Sequence, residues 1–263
     1  MSADGPTARP YMQPFERAPR PLVGYAHDYA DGHATDRHAH PRAQLLYATR
    51  GLMRIATDAA QFVVPPGTGL WVPANTPHAV RMDGETSMRA LFLREDAARA
   101  GPAEVTVVAV SPLLRELILA ACDAPVTWDR RGRTRHVAAL ALDEIRRSAT
   151  RPLAVPAARD ARLRRVTEAL HADPSDGRDL AQHADAAGAS ARTLARLFRR
   201  ETGMSFDQWR RQLRLAEAAA RLAQGESPAR AAAAVGYASG PAFGAAFRAA
   251  FGTTPGQVRV GRG

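Results

Sequence analysis

The sequence contains no lysine: all 36 of its basic residues are arginines, against 26 acidic residues, for a net charge of +10. Lysine missing beside abundant alanine and arginine indicates a GC-rich coding bias, so arginine richness alone does not establish a polyanionic partner. The distribution of charge is more informative. Residues 157–263 carry 17 arginines and 10 acidic residues, a net of +7, whereas residues 1–156 have a net of +3. This C-terminal excess favours a polyanion as the partner of the last 107 residues.

Cysteine and long apolar runs are also scarce. Cys122 is the only cysteine, so an internal disulfide is excluded and a reducing cytoplasm is expected. We interpret Cys122 as a small packing residue rather than a nucleophile. No apolar run approaches 18 residues, so no transmembrane helix is expected, and prolines and charges stand where a signal peptide needs an apolar segment. The 46% hydrophobic and 24% charged residues are typical of a soluble globular protein.

The pattern along the chain divides it into five parts. Residues 1–21 are rich in proline and predict a flexible, extended arm. Residues 22–110 contain short apolar runs between turn residues, which is typical of antiparallel strands in a sandwich or barrel. Residues 111–148 predict two amphipathic helices, the second at about 135–147. Residues 149–158 hold two prolines without a clear period and predict a linker. Residues 159–263 have a helical pattern.

The helical part contains an internal repeat at a fixed offset of 49 residues. The matching pairs are Ser190 and Ser239, Leu194 and Phe243, Phe198 and Phe247, Arg199 and Arg248, and Gly203 and Gly252. Each copy has an alanine-bearing helix, a glycine for a turn, and a serine placed to cap the next helix. A constant offset indicates one supersecondary unit used twice. We predict two helix-turn-helix units.

The first copy separates an apolar face from a basic face on one short helix. Ala191, Leu194, Leu197 and Phe198 share one face, and the opposite face carries Arg192, Thr193, Arg196, Arg199 and Arg200. A capped helix with a basic outer face is suited to the DNA major groove. A solvated face of an ordinary bundle helix is the alternative, and the repeat argues against it.

Residues 159–259 resemble the DNA-binding domain of the AraC/XylS family of bacterial transcription regulators. The resemblance rests on "AGASARTLARLFRRETGMSFDQWRRQLRLAEAAARLAQG" and "VGYASGPAFGAAFRAAFGTTP". It implies two units joined by a central helix, here about 206–224, with both recognition helices facing promoter DNA. Two positions depart from the family pattern: His183 stands where an apolar residue is usual, and Pro228 where Ile or Val is usual.

The second recognition helix is poorer in polar groups than the first. Its outward positions are Gly240, Pro241, Ala242, Gly244, Ala245 and Arg248, of which only Arg248 has a side chain that can hydrogen-bond a base or phosphate. We therefore predict that Arg192, Thr193 and Arg196 supply most of the base readout. The second helix would contribute shape, thymine-methyl contact and phosphate anchoring.

The N-terminal part carries two histidines at i, i+2, the spacing that aims side chains from one face of a strand. His38-x-His40 and Gln44 lie between glycines, and a later stretch runs from Gly67 to His78. These stretches resemble the two cupin motifs, and the resemblance implies metal ligands at His38, His40, Gln44 and His78. Gln44 stands where a carboxylate is usual. Three imidazoles suffice for Zn, Ni, Fe or Mn.

A second interpretation of the same histidines remains open. They would line a metal-free pocket and hydrogen-bond an organic effector, with Tyr47, Trp71 and Phe92 as candidate pocket walls. Core packing is the competing role for each of these three aromatic residues.

The order of the parts matches one architecture of the AraC/XylS family. It implies a two-domain fold: an all-β cupin-like sensor barrel with a helix pair that dimerises the protein, then an all-α domain with two helix-turn-helix units. We expect a cytoplasmic homodimer that responds to a small molecule or metal and has no catalytic residues. A cupin metalloenzyme of dioxygenase or isomerase type is the alternative, and an architectural DNA binder would leave the histidines unexplained.

Overall fold

A computed structural model describes residues 12–99, 101–151 and 153–259. The chain divides into two compact units. The N-terminal unit runs to Thr57 and from Val64 to Pro152, and the C-terminal unit contains Asp58–Val63 and continues from Leu153. Within the described ranges, no helix is long and apolar enough to cross a membrane.

The elements follow the predicted order of strands and then helices. The strands are β1 (Leu22–Tyr29), β2 (Ala43–Ala56), β3 (Ala60–Val64), β4 (Thr68–Val72), β5 (Ala79–Leu93), β6 (Thr106–Ala109), β7 (Thr150–Arg151) and β8 (Ala154–Pro156). The helices are α1 (Gln13–Glu16), α2 (Glu95–Ala98), α3 (Pro112–Cys122), α4 (Arg133–Arg147), α5 (Ala161–Ala172), α6 (Leu180–Ala187), α7 (Ala191–Thr202), α8 (Phe206–Ala223), α9 (Pro228–Ala234), α10 (Gly240–Phe251) and α11 (Pro255–Arg259). The prediction of a sheet-rich domain followed by a helical one is confirmed.

An antiparallel sheet in the order β1-β5-β2-β4-β6-β7 forms the N-terminal unit. The central pair is β2 and β5, in which Gln44 lies opposite Phe92 and Ile55 opposite Val80. The register shifts between Ala48 and Leu52, where the pairing is irregular. Because side chains alternate across a strand, one face of this pair is directed into a cavity and the other face is buried in the core.

Helix α3 packs against β1 and β5 with its apolar face, and α4 packs against α3. Ser111 caps α3 by accepting a hydrogen bond from the Leu114 amide, and its hydroxyl bonds Glu144 of α4. The helix approaches β1 so closely that a Cβ at Gly24 would lie 2.4 Å from the backbone of Ala121. A glycine is therefore required at residue 24.

Residues 12–20, which we call the N-terminal segment, are not the extended arm that their proline content predicts. Residues 13–16 form a helical turn, Met12 is buried, and the Arg20 guanidinium bonds the Trp128 carbonyl. Packing against the sheet replaces the solvation that an extended arm would have. The rest of the predicted arm, residues 1–11, lies outside the described residues.

The predicted linker, residues 149–158, is not structureless either. Its first part forms β7, which pairs with β6. Its second part forms β8, which pairs with β3 in the C-terminal unit, Gln61 opposite Val155. The indole of Trp209 donates to the Pro156 carbonyl at 3.1 Å, so α8 is attached to this ribbon. Proline at an edge strand costs no ladder hydrogen bond, so Pro156 is compatible with β8, and the boundary between the two units falls within the predicted linker.

The C-terminal unit is built around α8, whose predicted bounds are confirmed to within one residue. Ser205 and Gln208 form a capping box at its start. Trp209, Leu213 and Leu222 are buried, and small residues such as Ala218 let neighbouring helices approach. At about 1.5 Å per residue the helix is about 27 Å long.

Candidate functional site

A cavity, partly open to solvent, lies on one face of the sheet in the N-terminal unit. Its walls are apolar and aromatic, with a cluster of polar groups at one end. The polar lining residues are Tyr25, Tyr29, Thr35, His38, His40, Gln44 and His78. A concave apolar site with a few convergent polar groups is the usual form of a small-ligand site.

Three of the polar residues are brought together by backbone pairing between distant stretches. The amides of His38 and His78 donate to each other's carbonyls at 2.9 and 2.8 Å. His40 extends from the same face two residues after His38. The ligand atoms of the three histidines all lie within 4.8 Å of one another, and His40 and His78 are buried.

Each of these imidazoles is oriented by an oxygen acceptor. Nδ1 of His38 bonds the Asp36 carbonyl at 2.7 Å and Nδ1 of His78 bonds the Thr76 carbonyl at 2.8 Å. Nδ1 of His40 bonds the Glu16 carboxylate at 2.6 Å. Because an oxygen acceptor requires a proton on the nitrogen, these contacts favour the Nδ1–H tautomer, which leaves the lone pair of a neutral ring on Nε2. This pattern of acceptors is typical of histidines that bind metals.

Gln44 lies in the same cavity and is 3% exposed. Its Oε1 atom is buried and has no hydrogen-bond partner within the described part of the chain. A buried acceptor without a donor is costly, so this oxygen indicates that a ligand or bound water completes the site. Three imidazoles and an amide oxygen suit a divalent transition metal, and the residues fit such an ion.

Of the three predicted pocket walls, only Phe92 lines the cavity. Tyr47 and Trp71 are buried on the other face of the sheet, because the strand alternation places them out of phase with Gln44 and Leu46. The Trp71 indole donates to the Pro102 carbonyl at 2.7 Å, and its ring packs against Gly101. Both residues have packing roles.

The first helix-turn-helix unit, α6 and α7, has the predicted turn and cap. Gly188 ends α6 in the left-handed conformation with φ of 68°, which glycine adopts without strain. Ser190 accepts from the Thr193 amide at the start of α7. Leu194, Leu197 and Phe198 are buried on the inner face.

The predicted DNA-contacting residues of α7 lie on its outer face. Arg192, Arg196, Arg199 and Arg200 are exposed, and Thr193 is half-buried. The Thr193 hydroxyl bonds that of Ser190, and Arg200 pairs with Glu201 at 2.9 Å. The helix therefore presents a basic surface next to its capped N-terminus.

The second helix-turn-helix unit, α9 and α10, repeats this arrangement with fewer polar groups on its outer face. Ser239 accepts from the Ala242 amide at the start of α10, while Phe243, Phe247 and Phe251 are buried. Arg248 is exposed, and it is the one charged residue of α10. The predicted contrast in polar groups between the two outer faces is present in the structure.

Arg214 of α8 contacts both helix-turn-helix units. The sequence did not predict a functional role for it. Its guanidinium donates to the carbonyls of Pro174, Ser175 and Asp176 before α6, and to that of Gly236 before α10. A single arginine in an arginine-rich helix carries no sequence signal for this role. It fixes the segments that precede the first helix of one unit and the recognition helix of the other.

Comparison with known proteins identifies the family. Residues 21–217 match the AraC-like ligand binding domain, and residues 183–260 match a helix-turn-helix domain. The chain belongs to the AraC family of helix-turn-helix transcription regulators. It is 31% identical to the HTH-type transcriptional regulator NimR of Escherichia coli over 220 residues, 84% of this chain and 80% of NimR.

Two further comparisons each cover about two fifths of the chain. The HTH-type transcriptional regulator RipA of Corynebacterium glutamicum is 40% identical over 108 residues, 41% of this chain and 32% of RipA. A solved AraC-type transcriptional regulator from Chromobacterium violaceum is 29% identical, with a TM-score of 0.36, and the match covers 38% of this chain and 89% of that one. As an AraC-family regulator, the protein binds DNA through its helix-turn-helix domain and has a ligand-binding domain.

The two departures from the AraC pattern are accommodated locally. Pro228 stands in the first turn of α9, where the missing amide costs nothing, and Ser227 caps the helix. His183 is buried in α6, with its ring 5.5 Å from that of Phe206. Its Nε2 lies 3.7 Å from the Asp176 carboxylate, too far for a hydrogen bond, and burial lowers the pKa of His183.

Burial raises the pKa of the Cys122 thiol to about 12, in keeping with the predicted packing role of this residue.

Proposed function

We propose that this AraC-family regulator is a metal-responsive one, whose N-terminal unit binds a divalent transition metal through His38, His40 and His78. The observation that carries the proposal is that one ring nitrogen from each histidine lies within 4.8 Å of the others, while Nδ1 of each ring bonds an oxygen. When bound, the ion would hold a fixed geometry between the two stretches that carry the histidines, one before β2 and one before β5.

Gln44 supports a hydrogen-bonding ligand next to the ion. Its Oε1 would accept from a metal-bound water or from an N–H or O–H group of an organic effector. The cavity walls formed by Phe92, Met82 and Met88 suit an apolar portion of such an effector. An organic effector without metal is the second candidate, and Gln44 is the observation in its favour.

We propose a regulatory rather than a catalytic use of this site. The named relatives are transcription regulators, and the chain carries a DNA-binding domain that catalysis at the histidines would not need. Ligand would shift the population of conformations competent for promoter DNA. Cytoplasmic location follows from this role.

We propose that α7 supplies the base contacts and that both recognition helices contact phosphates. The exposure of Arg192 and Arg196 near the capped start of α7 supports base readout by these two residues and Thr193. Arg199, Arg200 and Arg248, further along their helices, would bind phosphates.

We propose a homodimer formed through α3 and α4. Leu113 and Leu140 are each 50% exposed, and they are the large exposed hydrophobic residues within the described part of the chain. They lie on two helices that pack on each other, so a second copy would cover both.

The direct test measures DNA affinity with and without metal. A fluorescent operator, selected from random DNA, is titrated with chelator-treated protein alone and with Zn²⁺, Ni²⁺, Fe²⁺ or Mn²⁺. We expect one metal to change the dissociation constant by at least about 5-fold for the wild type and to have no effect on His78→Ala. Equal affinity in every condition would refute metal control; a response to a small organic molecule alone would establish the second candidate.

A further inference from the structure

The N-terminal segment brings a carboxylate to the histidine cluster. Glu16 Oε1 lies 2.6 Å from Nδ1 of His40, and the two side chains are 12% and 6% exposed. Glu16 is separated from His40 by 24 residues and belongs to neither of the histidine-bearing stretches. The contact depends on how the segment folds back over the sheet.

The segment is held in place by a buried arginine on the same stretch as His40. The Arg42 guanidinium, 5% exposed, donates to the Glu16 carbonyl at 2.7 Å, to the Arg20 carbonyl at 3.0 Å and to the Ala18 carbonyl. His40 and Arg42, two residues apart, therefore bind the side chain and the backbone of the same glutamate. Because both its carboxylate and its backbone carbonyl are hydrogen-bonded, Glu16 has a fixed position in the structure.

Phe15 attaches the segment to the cavity wall. Its ring meets that of Tyr25 edge to face at 5.1 Å and lies 6.1 Å from that of Phe92, and both partners line the cavity. Met12 lines the cavity as well. The Glu16 carboxylate is thus positioned by the N-terminal segment, whose apolar side chains pack at the cavity.

We propose that Glu16 is a positioning residue of the metal site, fixing the ring and tautomer of His40 and supplying the negative charge that the ligands themselves lack. This inference rests on the proposed metal site. The four donors in the cavity are three neutral imidazoles and one amide, so a divalent ion bound by them keeps its full charge in a largely buried place. A carboxylate bonded to Nδ1 raises the basicity of the coordinating Nε2 and offsets that charge.

The proposal predicts a specific loss of metal affinity. Zinc dissociation constants are measured on the full chain by competition with a chromophoric chelator. Glu16→Gln, which keeps the size of the side chain and removes its charge, should weaken binding about 10- to 100-fold. The matched control is Glu85→Gln, which removes a carboxylate from an exposed pair with Arg50 on the same unit and should leave the affinity within about 2-fold.

A spectroscopic readout separates positioning from a general structural role. In metal-free protein, ¹⁵N NMR of the ring nitrogens should show His40 in the Nδ1–H tautomer, and Glu16→Ala should give a mixture while His38 and His78 keep theirs. Equal zinc affinity of wild type and Glu16→Gln, or an unchanged His40 tautomer in Glu16→Ala, would overturn the role of Glu16 alone. A wild type that binds no metal would overturn the metal site together with it.

Discussion

His38 and His78 exchange both of their backbone hydrogen bonds, and their ring centroids lie 4.6 Å apart. This pairing joins the loop that precedes β2 to the start of β5. Because the two amides and two carbonyls are mutually satisfied, the histidines are fixed relative to each other before any ligand arrives. The proposed sensor site is therefore preorganised, and a ligand bound there would add to a structure that the backbone already determines.

We expect Arg196→Ala to lose base preference at one operator position. The Arg196 side chain is exposed on the outer face of α7 beyond the capped start, where a recognition helix meets base edges. The loss of discrimination should be about 1–3 kcal/mol. It is measured by anisotropy on operators that carry each base at the contacted position.

Arg248→Ala is the comparison for this experiment. As the one charged residue of α10, Arg248 should contact a phosphate, so its removal should weaken operator and random DNA alike and lower the salt slope by about 1. If Arg196→Ala behaves in the same way as Arg248→Ala, Arg196 is a phosphate contact instead.

Arg214→Met should weaken both DNA binding and folding of the C-terminal unit. The change removes every donor to the carbonyls of Pro174, Ser175, Asp176 and Gly236, and leaves those oxygens to water. We expect a loss of about 1–3 kcal/mol in unfolding free energy, measured by urea denaturation followed by tryptophan fluorescence. Arg211→Met removes an equal charge from the exposed side of α8 and should have little effect; equal losses in the two variants would contradict the bridging role.

His183 should make the protein less stable in mild acid. Burial lowers the pKa of His183 in the folded state, so near and below its ordinary value of 6.5 the unfolded chain binds more protons than the folded one. His183 therefore has no pH-dependent effect on the free energy of unfolding above about pH 6.5, and it lowers that free energy as the pH falls below this value. His183→Leu should have a smaller drop in melting temperature between pH 7.5 and 5.5 than the wild type, and at pH 7.5 should be more stable by about 1 kcal/mol, because Nε2 is buried without a hydrogen bond. An identical drop in both proteins would show that other groups cause it.

Replacing the two exposed leucines should weaken the proposed homodimer. A charge at residues 113 and 140 opposes burial against a second copy, so Leu113→Glu combined with Leu140→Glu should raise the dimer dissociation constant at least about 10-fold. Sedimentation equilibrium measures this constant. Ala103→Glu, on an exposed loop, controls for added negative charge; a dimer unaffected by the leucine changes would place the interface elsewhere.

The sequence predicts those parts of the fold that local patterns determine. The serine caps at Ser190 and Ser239 and the left-handed Gly188 are set by short-range chemistry, and the 49-residue repeat identified the two serines in advance. Of the two roles that the sequence left open for Tyr47 and Trp71, packing is the one found, because strand phase, which composition does not reveal, directs both away from the cavity.

Long-range contacts account for the other differences between the predicted and the observed structure. The ordered N-terminal segment depends on buried Arg42, and the linker strands depend on pairing with β3 and β6. Neither partner is marked in the sequence near the segment that it orders. The role of Glu16 was missed for the same reason, since its partner His40 lies 24 residues away.

The central claim is that three histidines hold one metal ion, and metal content tests it most directly. Purified, tag-free protein and the His78→Ala variant are reconstituted with divalent metals, dialysed and analysed by inductively coupled plasma mass spectrometry. The account predicts about one metal per chain in the wild type and loss of that metal in the variant. No metal in the reconstituted wild type, or equal content in the two proteins, would contradict it.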